Sequence, residues 1–382
     1  MNIFEPKNHW VQIAAELRNF RRGTYPGFVT GDKNGGLENI PVFSFHDVEP
    51  EKFMAQLIYL ADNGYQTVTA DEYLAMEGKS PTGRHVMLTF DDGRASLWNV
   101  AYPALMTRRM KAVAFILPGE IKEAKEPRKP TNSLSDTGGE PLATWPEITA
   151  MRDSLDFQSH SLYHFMVFVS DRVECFYSPQ IRDRWIYIDL PVLREEDGDD
   201  YSRKYGLGAP FYSMESRLSD CLRSFEPPQV RHALEKHVAD NGGSAFFNRS
   251  GWERELTTIH SEAVKGYKFQ LETPEERDES IRHNLSRSKR DIEERLPGHR
   301  VDHLCFPFGV GGAAAARIAA HEGFKGLYWG TTLPAHATGM KGVLNVTRMK
   351  DDYIFRLPGK GRWPLWKVMG AKALRRAGLA SW

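Results

Sequence analysis

Apolar positions along this chain follow two different periods. From His85 to Phe90 the run Val86-Met87-Leu88-Thr89-Phe90 is continuous rather than alternating, which predicts a strand buried on both faces. Ala112–Leu117 repeats that pattern, and Asp302–Phe306, Gly326–Trp329 and Val343–Val346 read as further short strands. Between them the period lengthens. Phe53, Leu57 and Leu60 recur at helical spacing, Ala95–Arg109 and Ala313–His321 read as helices, and Thr69 with Glu72 makes a capping-box pattern. Thr273-Pro274-Glu275-Glu276 joins a cap, a first-turn proline and a capping-box glutamate, predicting a helix from there to Leu296. Strands alternating with helices of this length imply a parallel sheet in an α/β fold, and chemistry placed at strand C-terminal ends suggests a barrel.

That chemistry begins where the His85–Phe90 strand ends. Thr89-Phe90-Asp91-Asp92-Gly93 puts two adjacent carboxylates at the end of a buried strand. They repel each other unless a cation neutralises one, and burying an unpaired charge costs several kcal/mol. Neighbouring residues on extended chain point opposite ways, so one can be a ligand and the other a base, with Gly93 allowing a sharp turn. His160 and His164, in Ser159-His160-Ser161-Leu162-Tyr163-His164, stand four apart, a spacing that on one helical turn brings both imidazoles to one face. Two histidines and one carboxylate suit a catalytic Zn²⁺, with Fe²⁺, Co²⁺ and Ni²⁺ as alternatives. Asp92, His160 and His164 are the expected metal ligands, and Asp91 is left to handle protons.

With Cys305-Phe306-Pro307-Phe308-Gly309, these motifs resemble the polysaccharide deacetylase family, the carbohydrate esterases sharing the NodB-type domain. The resemblance spans roughly Pro41–Lys111, Trp145–His164 and Pro274–Arg348. It implies a distorted (β/α) barrel, Asp91 as general base, Asp92, His160 and His164 on the metal, and the Phe308 backbone N–H as an oxyanion donor. Pro41-Val42-Phe43-Ser44-Phe45-His46-Asp47-Val48 is similar to the opening of the branch that deacetylates biofilm poly-N-acetylglucosamine, which implies His46 as general acid. No Leu-x-His element follows Gly330, which favours His46 over His336. The family often tethers its catalytic Asp with an Arg in the third motif. Here Val301–Gly309 contains none, so the tether of Asp91 has no candidate. Cys305 reads as a small core hydrophobe.

Against that pattern the chain divides into an N-terminal helical extension (1–36), a first barrel part (37–164), an insertion (165–272), a second barrel part (273–350) and a tail (351–382). The extension contains an amphipathic helix over Trp10–Arg22. Polar Glu120–Glu140 reads as a surface loop at the rim. The insertion holds Trp185-Ile186-Tyr187-Ile188, an acidic run Glu195–Asp200, Tyr201, Tyr205, Phe211 and Tyr212, then a helix over Gln229–Asp240. Most of these aromatics are expected to fill the insertion's own core, with stacking on sugar faces the alternative. In the tail Trp366, Met369, Ala373, Ala377 and Ala380 share a helical face. Basic Lys367, Lys372, Arg375 and Arg376, with Trp363 and Trp382 flanking, suit either packing on the barrel or peripheral contact of 361–382 with an anionic membrane.

Composition narrows the partners. With 41% hydrophobic and 26% charged residues in 382, the chain can bury a large core. A net charge of +0 gives no pull toward nucleic acid. Three scattered cysteines do not form a disulfide framework, and Met1–Lys7 has neither a basic nor an apolar leader region. A cytoplasmic enzyme is therefore expected, with a peripheral place at the inner membrane face as the option the tail offers. Its expected reaction removes an acetyl or formyl group from an N-acylated amino sugar, lipid-linked or in a polysaccharide precursor. Alternatives are hydrolysis of a non-sugar amide or cyclic imide, and an inactive sugar-binding or scaffold protein.

Overall fold

The computed structural model describes residues 16, 18–31, 37, 39–133, 139–164, 166–184 and 205–376. Most of the Trp10–Arg22 helix, Trp185–Ile188, Glu195–Asp200, Tyr201 and Trp382 lie outside them.

Nine strands form the main sheet: β1 (Val42–Phe45), β2 (Gln66–Thr67), β3 (His85–Asp92), β4 (Ala112–Ile116), β5 (Leu155–Ser159), then β10 (His303–Cys305), β11 (Gly326–Tyr328), β12 (Leu344–Val346) and β13 (Met349–Lys350), where β6–β9 belong to the segment between. The order is β12-β11-β10-β5-β4-β3-β1-β13, with β2 on β3, and every pair is parallel. The two ends of that path are consecutive in sequence. Only Thr347 and Arg348 separate β12, bonded to β11, from β13, bonded to β1. One short segment thus spans the seam of the barrel, which is the expected (β/α) architecture.

The continuous apolar run of β3 is explained by burial on both sides. Val42, Met87, Val113, Phe115, Cys305, Tyr328 and Val346 pack together inside the sheet. Outside it the helix Pro50–Asp62 buries Phe53, Leu57 and Leu60, and Phe53 meets Phe45 and Phe90 edge-on. Thr69 and Glu72 close the expected capping box on Ala70–Ala75. The segment read as one helix over Ala95–Arg109 is instead a π turn, Leu97–Ala101, leading into Tyr102–Arg108. In the Glu120–Glu140 loop, Arg128 is pinned to buried Glu147 by bonds of 2.6 and 2.8 Å.

The described chain divides into two compact units, one made of Tyr163–Asn284 with Val310–Ile318 and the other containing the barrel. The first has its own antiparallel pairs, β6 (Met166–Phe176) with β7 (Pro210–Ser216) and β8 (Ser224–Phe225) with β9 (Gln270–Leu271). Tyr205, Phe211 and Tyr212 are buried together with Phe168 and Tyr177, so these aromatics are core. A second cluster joins Val230, Leu234 and Val238 of the helix Pro228–Asp240 to Phe246 and Leu256. Arg217, fully buried, forks onto Glu272 at 2.7 and 2.5 Å, which makes its burial tolerable.

In the tail helix Leu365–Arg376, Lys372 is buried against Glu16 and Arg375 pairs with Asp352. Two of the tail's basic residues therefore turn toward the protein, as the packing alternative has it, while Trp366 stays 75% exposed. Among the described residues no helix is long and apolar enough to cross a membrane.

Candidate active site

The strand C-terminal ends carry the site. Asp91 and Asp92 end β3, His160 follows β5 directly, and Pro307–Gly309 follows β10 by one residue. Each of these three strands, β3, β5 and β10, leads into a residue with left-handed backbone: Asp92 at φ 71°, Ser161 at φ 70° and Phe308 at φ 58°. Such conformations cost of order 1–3 kcal/mol each and gather where surrounding structure forces them, commonly at functional sites. After Phe308 the chain stays left-handed at Gly309, φ 67°, where an added Cβ would lie 2.9 Å from the Gly330 backbone nitrogen. Only glycine fits there.

Asp92, His160 and His164 are all buried, and one donor atom from each lies within 4.8 Å of the others. The stretch from His160 to His164 is not the helical turn expected from the spacing. It is an irregular loop, and the left-handed Ser161 lets residues four apart converge without a helix. His160 Nδ1 donates to the Cys305 carbonyl at 2.8 Å, which leaves Nε2 facing Asp92 Oδ1 at 3.4 Å. Arg94 Nε donates to Asp92 Oδ2 at 2.9 Å, and its Nη1 to Asp47 at 2.7 Å. Imidazole nitrogen and carboxylate oxygen are thus aimed at one another with their other atoms occupied, the outer support that metal ligands need. One carboxylate and two imidazoles suit a divalent cation. Burial works against a charged His160, yet Cys305, Asp92 and Asp91 raise its pKa well above the ordinary value.

Asp91 is held differently. Arg348 Nη1 donates to Oδ1 at 2.6 Å and Nη2 to Oδ2 at 2.8 Å, a fork–fork pair fully inside the barrel. Arg348 also donates to Thr89 Oγ1 at 3.1 Å and to the Trp329 carbonyl at 3.2 Å. Burial alone pushes the Asp91 carboxyl up, but the Arg348 charge, with His160 and His46, brings it down to about 2. This is the tether that the third motif lacks, supplied from the seam between β12 and β13. Cys305 is fully buried among apolar groups, as expected, with Sγ 3.9 Å from Asp91 Oδ1. Asp91, His160 and Cys305 form a second close donor set, but there the Arg348 guanidinium bonded to Asp91 sets a positive charge against a second cation.

His46, one residue past β1, places Nε2 3.9 Å from Asp91 Oδ2, within ion-pair range and beyond hydrogen-bond length. Phe308 is 39% exposed in its left-handed turn after β10. The structure thus gathers Asp91, Asp92, His160, His164 and His46 around the end of β3 and adds Arg348.

Residues 78–175 match the family model described as polysaccharide deacetylase. Over 92 residues the chain is 36% identical to a Bacillus subtilis (strain 168) protein, YxkH, provisionally named a polysaccharide deacetylase. That alignment takes in 22% of this chain and 33% of the relative, so the match spans about a third of the relative's length. Among solved structures, a de-N-acetylase from Aggregatibacter actinomycetemcomitans aligns at TM-score 0.48 and 16% identity, over 81% of this chain and 94% of that one. The deacetylase domain of BpsB from Bordetella bronchiseptica aligns at TM-score 0.49 and 15% identity, over 83% and 97%.

Proposed function

We propose that this chain, whose residues 78–175 are a polysaccharide deacetylase domain, hydrolyses the acyl group from an N-acylated amino sugar. The observation that carries the reading is the pairing of a tethered carboxylate, Asp91, with the adjacent donor set of Asp92, His160 and His164. A divalent cation held by those three would polarise an acyl oxygen and make water a better nucleophile near neutral pH.

Everything else is done by side chains and backbone. Asp91, ionised because Arg348 depresses its pKa, accepts the proton of the attacking water. Arg348 leaves it able to do so, since each carboxylate oxygen offers two lone pairs and the fork uses one on each. The Phe308 N–H donates to the oxyanion as it forms, an interaction worth about 3 kcal/mol where such donors have been removed. His46 gives a proton to the departing amine. One water is consumed, the C–N bond breaks, and a carboxylate and a free amino sugar leave.

Acetate release from acetamido sugars by purified protein, with and without added Zn²⁺, Co²⁺ or Ni²⁺, tests the reading. Release that requires the cation and falls at least a hundredfold in Asp91→Asn supports it. Hydrolysis of simple amides or imides with no sugar turnover replaces it by the non-sugar reading.

A further inference from the structure

Lys350 is placed by sheet register on the same interior row as the base. Paired residues in a parallel ladder and residues two apart on one strand share a face. Val42 pairs with Met87, and both lie in the barrel's interior cluster. Two residues on, Ser44 pairs with Thr89 on one side and with Lys350 on the other. Thr89 precedes Asp91 by two, and Arg348, which reaches both Thr89 and Asp91, precedes Lys350 by two. Lys350 is nevertheless exposed, and it ends β13 at the same end of the sheet where Asp91 ends β3 and His46 follows β1. Its charge is felt at both of those groups.

The other charges around it are matched. Arg348 holds Asp91, and Arg94 holds Asp92 and Asp47. Asp351, next in the chain, is taken by Lys52 at 2.5 Å and Gln56 at 2.9 Å. Among the described residues Lys350 makes no hydrogen bond or ion pair with its side chain. Asp351 and Asp91 act on its charge without bonding it, so an ammonium in this position gains a direct partner from what enters.

We propose that Lys350 receives an anionic group, a carboxylate or a phosphate carried by the acetamido sugar, so that charged sugars are preferred to neutral ones. This rests on the deacetylase reading for the identity of the sugar, but the cation site at the mouth is independent of it.

The test compares kcat/KM on methyl N-acetylglucosaminide, N-acetylglucosamine 1-phosphate and N-acetylmuramic acid for wild type, Lys350→Met and Lys350→Arg. A second arm titrates glucosamine 1-phosphate into metal-free wild type and Lys350→Met by calorimetry at low and high salt. Wild type is expected to prefer at least one anion, the phosphate and carboxylate sugars showing which, by about tenfold, the ratio of one charge-assisted contact. Lys350→Met should lose that preference and bind glucosamine 1-phosphate about tenfold more weakly, with Lys350→Arg keeping most of both. An unchanged anion-to-neutral ratio in Lys350→Met, even with a shifted pH profile, would mean that Lys350 only balances nearby carboxylates and overturns the proposal. So would a wild type indifferent to charge. If wild type hydrolyses none of the three sugars, the proposed reaction fails, while the titration still decides Lys350.

Discussion

Arg348 and Asp91 stand 257 residues apart and meet as a two-pronged pair, Nη1 to Oδ1 at 2.6 Å and Nη2 to Oδ2 at 2.8 Å. Both are buried, so each charge depends on the other for its place in the barrel. The fork fixes the rotation of the carboxylate as well as its ionisation, a combination that a lysine, with a single ammonium, cannot reproduce.

Removing the fork should therefore cost both fold and reaction. Arg348→Met leaves Asp91 buried and uncompensated, and unfolding free energy should drop by about 3–5 kcal/mol. Arg348→Lys keeps the charge and should remain folded, with kcat/KM for deacetylation lowered about a hundredfold by misorientation of the base. Urea unfolding and acetate release measure the two effects. Full activity in Arg348→Lys would show that the fork does not orient the base.

Phe308 holds a strained left-handed backbone, and its amide is the proposed oxyanion donor. Glycine adopts φ 58° without penalty, so Phe308→Gly should gain stability of roughly 1 kcal/mol while losing about tenfold in kcat as the turn loosens. Gly309→Ala should go the other way in stability, because its Cβ would meet Gly330 backbone. Thermal unfolding alongside kinetics checks both. A stabilised Phe308→Gly with undiminished kcat would remove the turn from the catalytic account.

The unit containing Tyr163–Asn284 carries its own pH dependence. Burial raises the Glu226 carboxyl from 4.5 to about 7, against the Tyr212 hydroxyl, which donates to it at 2.6 Å, and Arg231 nearby. A carboxyl with a raised folded-state pKa binds protons more tightly in the folded protein than in the unfolded chain. Stability from this group is therefore greatest below pH 4.5 and falls as pH rises through 7, by roughly 3 kcal/mol in all. Glu226→Gln should flatten that slope. Urea midpoints between pH 5 and 8 decide it, and identical slopes in the two proteins would contradict it.

Local pattern made much of the barrel legible. The run Val86–Phe90 marked β3, the helix Ala313–His321 has the bounds its periodicity predicts, and Thr69 with Glu72 caps where expected. Asp91, Asp92, His160 and His164 were visible because their motifs are compact. The helical geometry expected for His160 and His164 was wrong because a four-residue spacing also closes through one left-handed residue, and Ser161 carries no sequence mark of that conformation. Arg348 was invisible for a different reason. Its partner is distant in sequence, and its position follows only from β12 and β13 pairing with opposite edges of the sheet, which no local period reveals. An arginine between two short apolar runs at the end of the barrel was the one available signal.

The central claim is that Asp92, His160 and His164 hold one divalent ion beside an unligated Asp91. Calorimetric titration of Zn²⁺ into chelator-stripped wild type, His164→Ala and Asp91→Asn tests it most directly. One ion per chain in wild type and in Asp91→Asn, with binding lost or weakened at least a hundredfold in His164→Ala, is the predicted result. No binding by wild type, or equal affinity in His164→Ala, would contradict the account.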